Sequence, residues 1–146
     1  MKATGIIRRI DDLGRVVIPR EIRRALRIHE GDPLEIYTDP REGAVIFKKY
    51  SYAENDFKPY ITALLNTLRT KGVVCGVYDV DGYLFEGNGV PKQIDIDDLG
   101  ANTFDLNYMG ERIGVLYVEH TEAEGGIILH ALTMFKELVK AHEISY

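Results

Sequence analysis

Over its first fifty positions the chain alternates short apolar runs with turn residues, and after that its rhythm lengthens. TGIIRRI (4–10) predicts a strand, and DDLG (11–14) a turn closed by glycine. RVVI (15–18), rich in β-branched residues, predicts a second short strand. Pro19 suits the first turn of a helix running through REIRRALRI (20–28). GDP (31–33) is another turn, LEIYTD a strand, PREG (40–43) a tight turn and AVIFKKY a strand. The expectation for this segment is four strands and one short helix.

The second part reads differently. YSYAEND (50–56) looks like a polar connector. In FKPYITALLNTLRTKG, residues Phe57, Tyr60, Ile61, Leu64, Leu65 and Leu68 form one continuous helical stripe. Pro59 belongs in the first turn of that helix, with Asn55 or Asp56 as cap, and Gly72 ends it. VVCGVYDVDGYLFEG predicts a hairpin around Asp81-Gly82, and TFDLNYMGERIGVLYVEH a second hairpin around Gly110. Residues 88–103 between them are loop-like and acidic. A last helix starts near Thr121, where Glu124 would complete a capping box, or just after Gly125 and Gly126. On it, Ile127, Ile128, Ala131, Leu132, Met134, Phe135, Leu138 and Val139 fill an apolar arc of about 160°. So broad a face is expected to pack on its own sheet and on a partner helix. Helix, hairpin, hairpin and helix make an α+β unit of the sensor type.

The head has a stability problem. A fifty-residue unit with about two turns of helix buries only around half to three-fifths of its surface. It has no cysteine or metal ligands to compensate. A core shared between two chains solves this, so an obligate homodimer is expected.

Composition narrows the classes. In 146 residues there is no apolar run of transmembrane length and no signal-peptide pattern at the start, so neither a membrane partner nor secretion is expected. The single cysteine, Cys75, lies in an apolar strand pattern and fits a reducing cytoplasm. The net charge of −5 hides a split. Residues 1–50 hold eleven Lys/Arg against eight Asp/Glu, and residues 51–146 hold seven against fifteen. The basic head is the candidate for a polyanion.

On the helix predicted for 20–28, Arg20, Arg23, Arg24 and Arg27 fall at i, i+3, i+4 and i+7, opposite Ile22, Ala25 and Leu26. Like charges so spaced repel, and a merely soluble face mixes signs and uses lysine. Guanidinium forks match phosphate oxygens and stay charged at any relevant pH. Arg15 follows the DDLG turn, and Arg8 and Arg9 lie on the preceding strand. The apolar back is too small for a membrane-surface helix. An acidic protein remains an alternative partner, with duplex DNA favoured.

Other chemistry is thin. Asp79 and Asp81 fit a hairpin turn better than a calcium loop, because Gly82 comes too early and no glutamate closes the loop. His29, His120, His130 and His142 lack metal-ligand spacing. No nucleophile–base pair or phosphate loop is visible, so neither an enzyme nor a cofactor or metal is expected.

Residues 1–51, particularly TGIIRRIDDLGRVVIPREIRRALRI and EGDPLEIY, resemble the AbrB/SpoVT swapped-hairpin DNA-binding domain, most of all its SpoVT branch. The resemblance implies an intertwined homodimer forming one β-barrel, in a cytoplasmic, nucleoid-associated regulator of sporulation or stationary-phase genes. It implies DNA contacts from Arg8, Arg15, Arg23 and Arg24, with Arg9 and Arg20 as supporting phosphate contacts and Arg27 and Lys2 less central. Such domains read DNA through groove shape more than a fixed base code. For residues 54–146, DVDGYLF and ERIGVLYV resemble GAF or PAS strands, which implies a short sensor or oligomerisation domain, flanking helices that join dimers into tetramers, and a small-molecule ligand of unknown identity. Related swapped-hairpin domains also neutralise toxins, so an antitoxin-like protein is the alternative.

Overall fold

The computed structural model describes residues 1–119 and 125–144. Contacts divide the chain into two units, Met1–Lys49 and Tyr50–Tyr146.

The first unit contains one helix, α1 (Arg20–Ala25), and one hairpin, β1 (Leu34–Asp39) with β2 (Ala44–Lys49). Asp39 closes the hairpin turn by accepting from the Arg41 amide at 3.2 Å. The strands expected at 4–10 and 15–18 do not form. The physical reason is the lack of a ladder, since nothing among the described residues pairs with these runs. Their apolar side chains stand in solvent, Ile7 at 86% and Val17 at 71% exposure. No residue from 1 to 49, all of them described, is buried.

Helix α1 is also shorter than expected. Pro19 takes the N-cap position rather than the first turn, and Leu26 is the C-cap. Arg27 then adopts a left-handed conformation (φ 53°), a place usually given to glycine. The Ile28 amide donates to the Arg23 carbonyl at 2.8 Å and the Arg27 amide to the Arg24 carbonyl at 3.3 Å, the pair of bonds that closes a Schellman motif. Lys49 Nζ donates to the Arg27 carbonyl at 2.9 Å, tying the end of β2 to this turn.

The second unit has its own core. Ser51 caps a one-turn helix, α2 (Tyr52–Asn55), accepting from the Glu54 amide at 3.1 Å. The expected connector is therefore partly helical. Next comes α3 (Lys58–Arg69), with Pro59 in its first turn and Phe57 as N-cap in place of Asn55 or Asp56. Strands β3 (Cys75–Tyr78), β4 (Leu84–Gly87), β5 (Thr103–Tyr108) and β6 (Glu111–Val118) form an antiparallel sheet in the order β4-β3-β6-β5. The last helix is α4 (Gly125–Ile144); the expected Thr121–Glu124 capping box lies outside the described residues.

One face of the sheet carries the hydrophobic core. Phe57, Ile61, Leu64, Leu65 and Leu68 meet Cys75, Val77, Leu106, Leu116 and Val118, together with Ile128, Ala131, Phe135 and Val139 of α4. The other flank of α4, with Ile127, Met134 and Leu138, is half-buried. Tyr78 and Val115, fully buried, sit outside that core cluster. The segment after β4 is strapped down by main-chain bonds, Leu84 N to Lys92 O and Ile94 N to Gly82 O, both 2.9 Å, and by the Tyr78 hydroxyl donating to the Pro91 carbonyl. Gly82 (φ +89°) has no room for a side chain, since a Cβ there would lie 2.3 Å from the Ile94 carbonyl oxygen.

Candidate nucleic-acid interface

The arginines predicted to matter lie on two local features. Arg20, Arg23 and Arg24 are on α1, all exposed, and Ile22 is half-buried. Arg27 leaves that face because the helix has ended before it. Arg8 and Arg9 precede the 11–15 turn, exposed, and Arg8 Nη1 donates to the Ile7 carbonyl at 3.0 Å. Lys2 is exposed near the N-terminus.

The turn itself is built by Asp11. Its Oδ1 accepts from the Leu13 amide at 2.9 Å and the Arg15 amide at 2.7 Å. Backbone bonds from Asp11 N to Arg15 O (3.0 Å) and Gly14 N to Asp11 O (3.2 Å) complete it. The other oxygen, Oδ2, accepts from Arg15 Nε at 2.7 Å, and the Arg15 side chain is 71% exposed. The Arg15 backbone amide, then its guanidinium, and the Leu13 amide hold the Asp11 carboxyl below the usual carboxylate range. Arg23 is held in a similar way, its Nε donating to the Ile18 carbonyl at 3.1 Å. Sequence reasoning missed Asp11 as the residue that builds this turn and holds Arg15. The available signal was an aspartate opening a turn, whose short side chain bonds its own backbone two residues on.

The remaining candidates resolve into structural roles. Asp79 Oδ1 accepts from the Asp81 amide at 2.9 Å and the Tyr83 amide at 3.0 Å, so it closes the β3–β4 turn. Among the described residues no group of three or more His, Cys, Asp or Glu side chains could hold a metal. His29 lies 3.6 Å from Asp32, and His142 packs its ring against Phe57, Tyr60 and Tyr108. His120 lies outside the described residues. Cys75 is buried. No helix among the described residues is long and apolar enough to cross a membrane.

Comparison with known proteins bears on this surface. Residues 7–54 match the family described as antidote-toxin recognition MazE, bacterial antitoxin. The chain is 60% identical over 87 residues to the stage V sporulation protein T of Bacillus subtilis (strain 168), covering 58% of this chain and 47% of that protein. A match of 87 residues exceeds the first unit and so runs into the second. Identity to the transition state regulatory protein AbrB of the same organism is 60% over 50 residues, 34% of this chain and 50% of AbrB. The chain thus spans about half the length of the curated relatives it matches. A solution structure titled as the N-terminal DNA recognition domain of B. subtilis AbrB is also 60% identical, covering 34% of this chain and 91% of that domain, with a TM-score of 0.29. The kinship rests on sequence identity. The first unit is a domain of the MazE/AbrB type. Its sequence is similar to those of AbrB and the stage V sporulation protein T.

Proposed function

We propose that this chain is a regulator of transcription that binds double-stranded DNA through Arg8, Arg9, Arg15, Arg20, Arg23 and Arg24. The observation that carries this reading is the exposed arginine face of α1 on a unit 60% identical to a domain titled for DNA recognition. Phosphate neutralisation by guanidinium forks suits such a face. The relatives are named as a sporulation protein and a transition-state regulator, which supports control of sporulation or stationary-phase genes in a cytoplasmic, nucleoid-associated protein, and gives no support to an enzyme. The unburied first unit supports a swapped-hairpin homodimer, in which the 4–10 and 15–18 runs of two chains pair. A four-stranded antiparallel sheet with two helices supports a GAF/PAS-like second unit for oligomerisation or sensing, with the half-buried flank of α4 as the contact that joins dimers into tetramers.

The test is duplex binding by the full chain. Arg23→Ala combined with Arg24→Ala should abolish binding at moderate salt with the fold intact. Neutralising six or more phosphates makes wild-type affinity fall about a thousandfold between 50 and 200 mM salt. Undiminished binding by the double variant would reject this face.

A toxin-binding antitoxin is the second reading, favoured by the description of the matching family. Antitoxins of this kind capture toxin with a disordered tail, whereas residues beyond 50 here build a folded core. Co-purification of a small toxin encoded next to this protein would reverse the order of the two readings.

A further inference from the structure

The arginines of the proposed interface are not held alike. Arg15 is clamped through Nε by the Asp11 carboxylate at 2.7 Å, and Arg23 through Nε by the Ile18 carbonyl at 3.1 Å. Arg20 and Arg24 are on the same helix as Arg23, exposed, and have no such anchor among the described residues. An arginine held at Nε retains its two terminal Nη groups as one planar edge with a fixed direction. That edge matches two targets, paired phosphate oxygens and the O6/N7 edge of guanine in the major groove.

Charge decides between the two for Arg15. Its ion pair with Asp11 is close to neutral as a unit, so it displaces few counterions and is a poor choice for neutralising a phosphate. What the pair supplies is direction. Base-edge readout depends on direction, because a bidentate contact is lost when the fork rotates, whereas phosphates can be met by a mobile cation. Arg23 faces an uncharged carbonyl and keeps its full charge, so it can serve either target.

We infer that Asp11 is a positioning residue that makes Arg15 a reader of guanine in duplex DNA, while Arg20 and Arg24 supply sequence-independent phosphate contact. This rests on the DNA-binding reading above. It adds a direct base contact to a domain expected from resemblance to read DNA mainly by shape.

The experiment is in vitro selection by the full chain from a pool of short duplexes randomised at their central positions, with affinity for the unselected pool measured alongside. Asp11→Asn is the informative variant. Asparagine keeps an oxygen for the Leu13 and Arg15 amides but loses the charged partner of Arg15 Nε. Wild type should enrich guanine at a fixed position, and Asp11→Asn should flatten that preference by about tenfold or more. Its affinity for the unselected pool should stay within about threefold, since the phosphate contacts remain. Arg15→Lys, which keeps charge but loses the fork, should flatten the same position even if Asp11→Asn disturbs the turn. Arg20→Ala or Arg24→Ala should weaken binding to all duplexes alike, lower the salt slope by about one per protomer, and leave the selected sequence unchanged. Wild-type binding without a guanine preference, or the same preference in both Asp11→Asn and Arg15→Lys, overturns the inference alone. Failure of wild type to bind any duplex overturns the functional reading and this inference with it.

Discussion

Asp11 and Arg15 are joined twice, by the backbone amide on Oδ1 at 2.7 Å and by the guanidinium on Oδ2 at the same distance. Both bonds favour the ionised carboxylate over the acid. The folded-state pKa of Asp11 is accordingly lowered, first by the Arg15 amide and then by its guanidinium. A lowered pKa means that the stability contributed is fully present above the unfolded value, near 3.8, and is lost as pH falls through the folded one. The turn should therefore be intact at neutral pH and open only in acid. Carbon-13 detection of the Asp11 carboxyl should show a midpoint below 3.8. A midpoint at or above that value would mean the pair does not form.

The bare apolar runs of the first unit give a second prediction. Ile7 and Val17 are 86% and 71% exposed, on segments whose pattern is that of buried strands. If two chains pair there, each side chain is covered, and burying one stabilises by roughly 1.5–3 kcal/mol. Ile7→Asp or Val17→Asp should then dissociate the homodimer in sedimentation equilibrium, with the core of the second unit unaffected. A dimer of unchanged affinity in both variants would remove the swapped-hairpin arrangement.

Legibility in the sequence followed the range of the interactions involved. The stripe from Phe57 to Leu68 and the two hairpin turns at Gly82 and Gly110 are set by neighbours a few residues away, and they appear where the pattern puts them. The one-turn helix at Tyr52–Asn55 was missed although Ser51 and Glu54 have capping-box spacing. The end of α1 was not readable, because arginine rather than glycine occupies the left-handed position that stops it. The runs at 4–10 and 15–18 show the opposite failure. Their strand pattern is plain, but a strand is a relation between two segments, and nothing among the described residues pairs with them. For the proposed interface, residue type and spacing singled out the arginine face of α1, which is exposed. The Asp11 clamp that distinguishes Arg15 from Arg20 depends on side-chain geometry that spacing alone does not specify.

The second unit should respond to its core in the ordinary way. Phe135 of α4 is 2% exposed and belongs to the cluster that joins α3, α4 and the sheet. Phe135→Ala should cost about 3–5 kcal/mol in urea unfolding of this unit, from lost transfer energy plus the cavity left behind. Val139→Ala, removing less volume at 4% exposure on the same face, should cost less. Equal, small losses at both sites would mean that α4 does not pack where it is seen.

Arg27 offers the converse, a substitution that stabilises. Its φ of 53° places a side chain in the left-handed region, where an L-residue is disfavoured by roughly 1–2 kcal/mol. Two backbone bonds close the turn there, Ile28 N to Arg23 O and Arg27 N to Arg24 O, and glycine would keep both. Glycine brings its own cost, since the unfolded chain gains freedom, so the net gain from Arg27→Gly should be about 1 kcal/mol. Lys49 bonds the Arg27 carbonyl rather than its side chain, so that link also survives. The measurement is thermal unfolding of the full chain, in which the first transition should rise. A fall would show that the Arg27 side chain contributes more to the fold than its backbone strain removes.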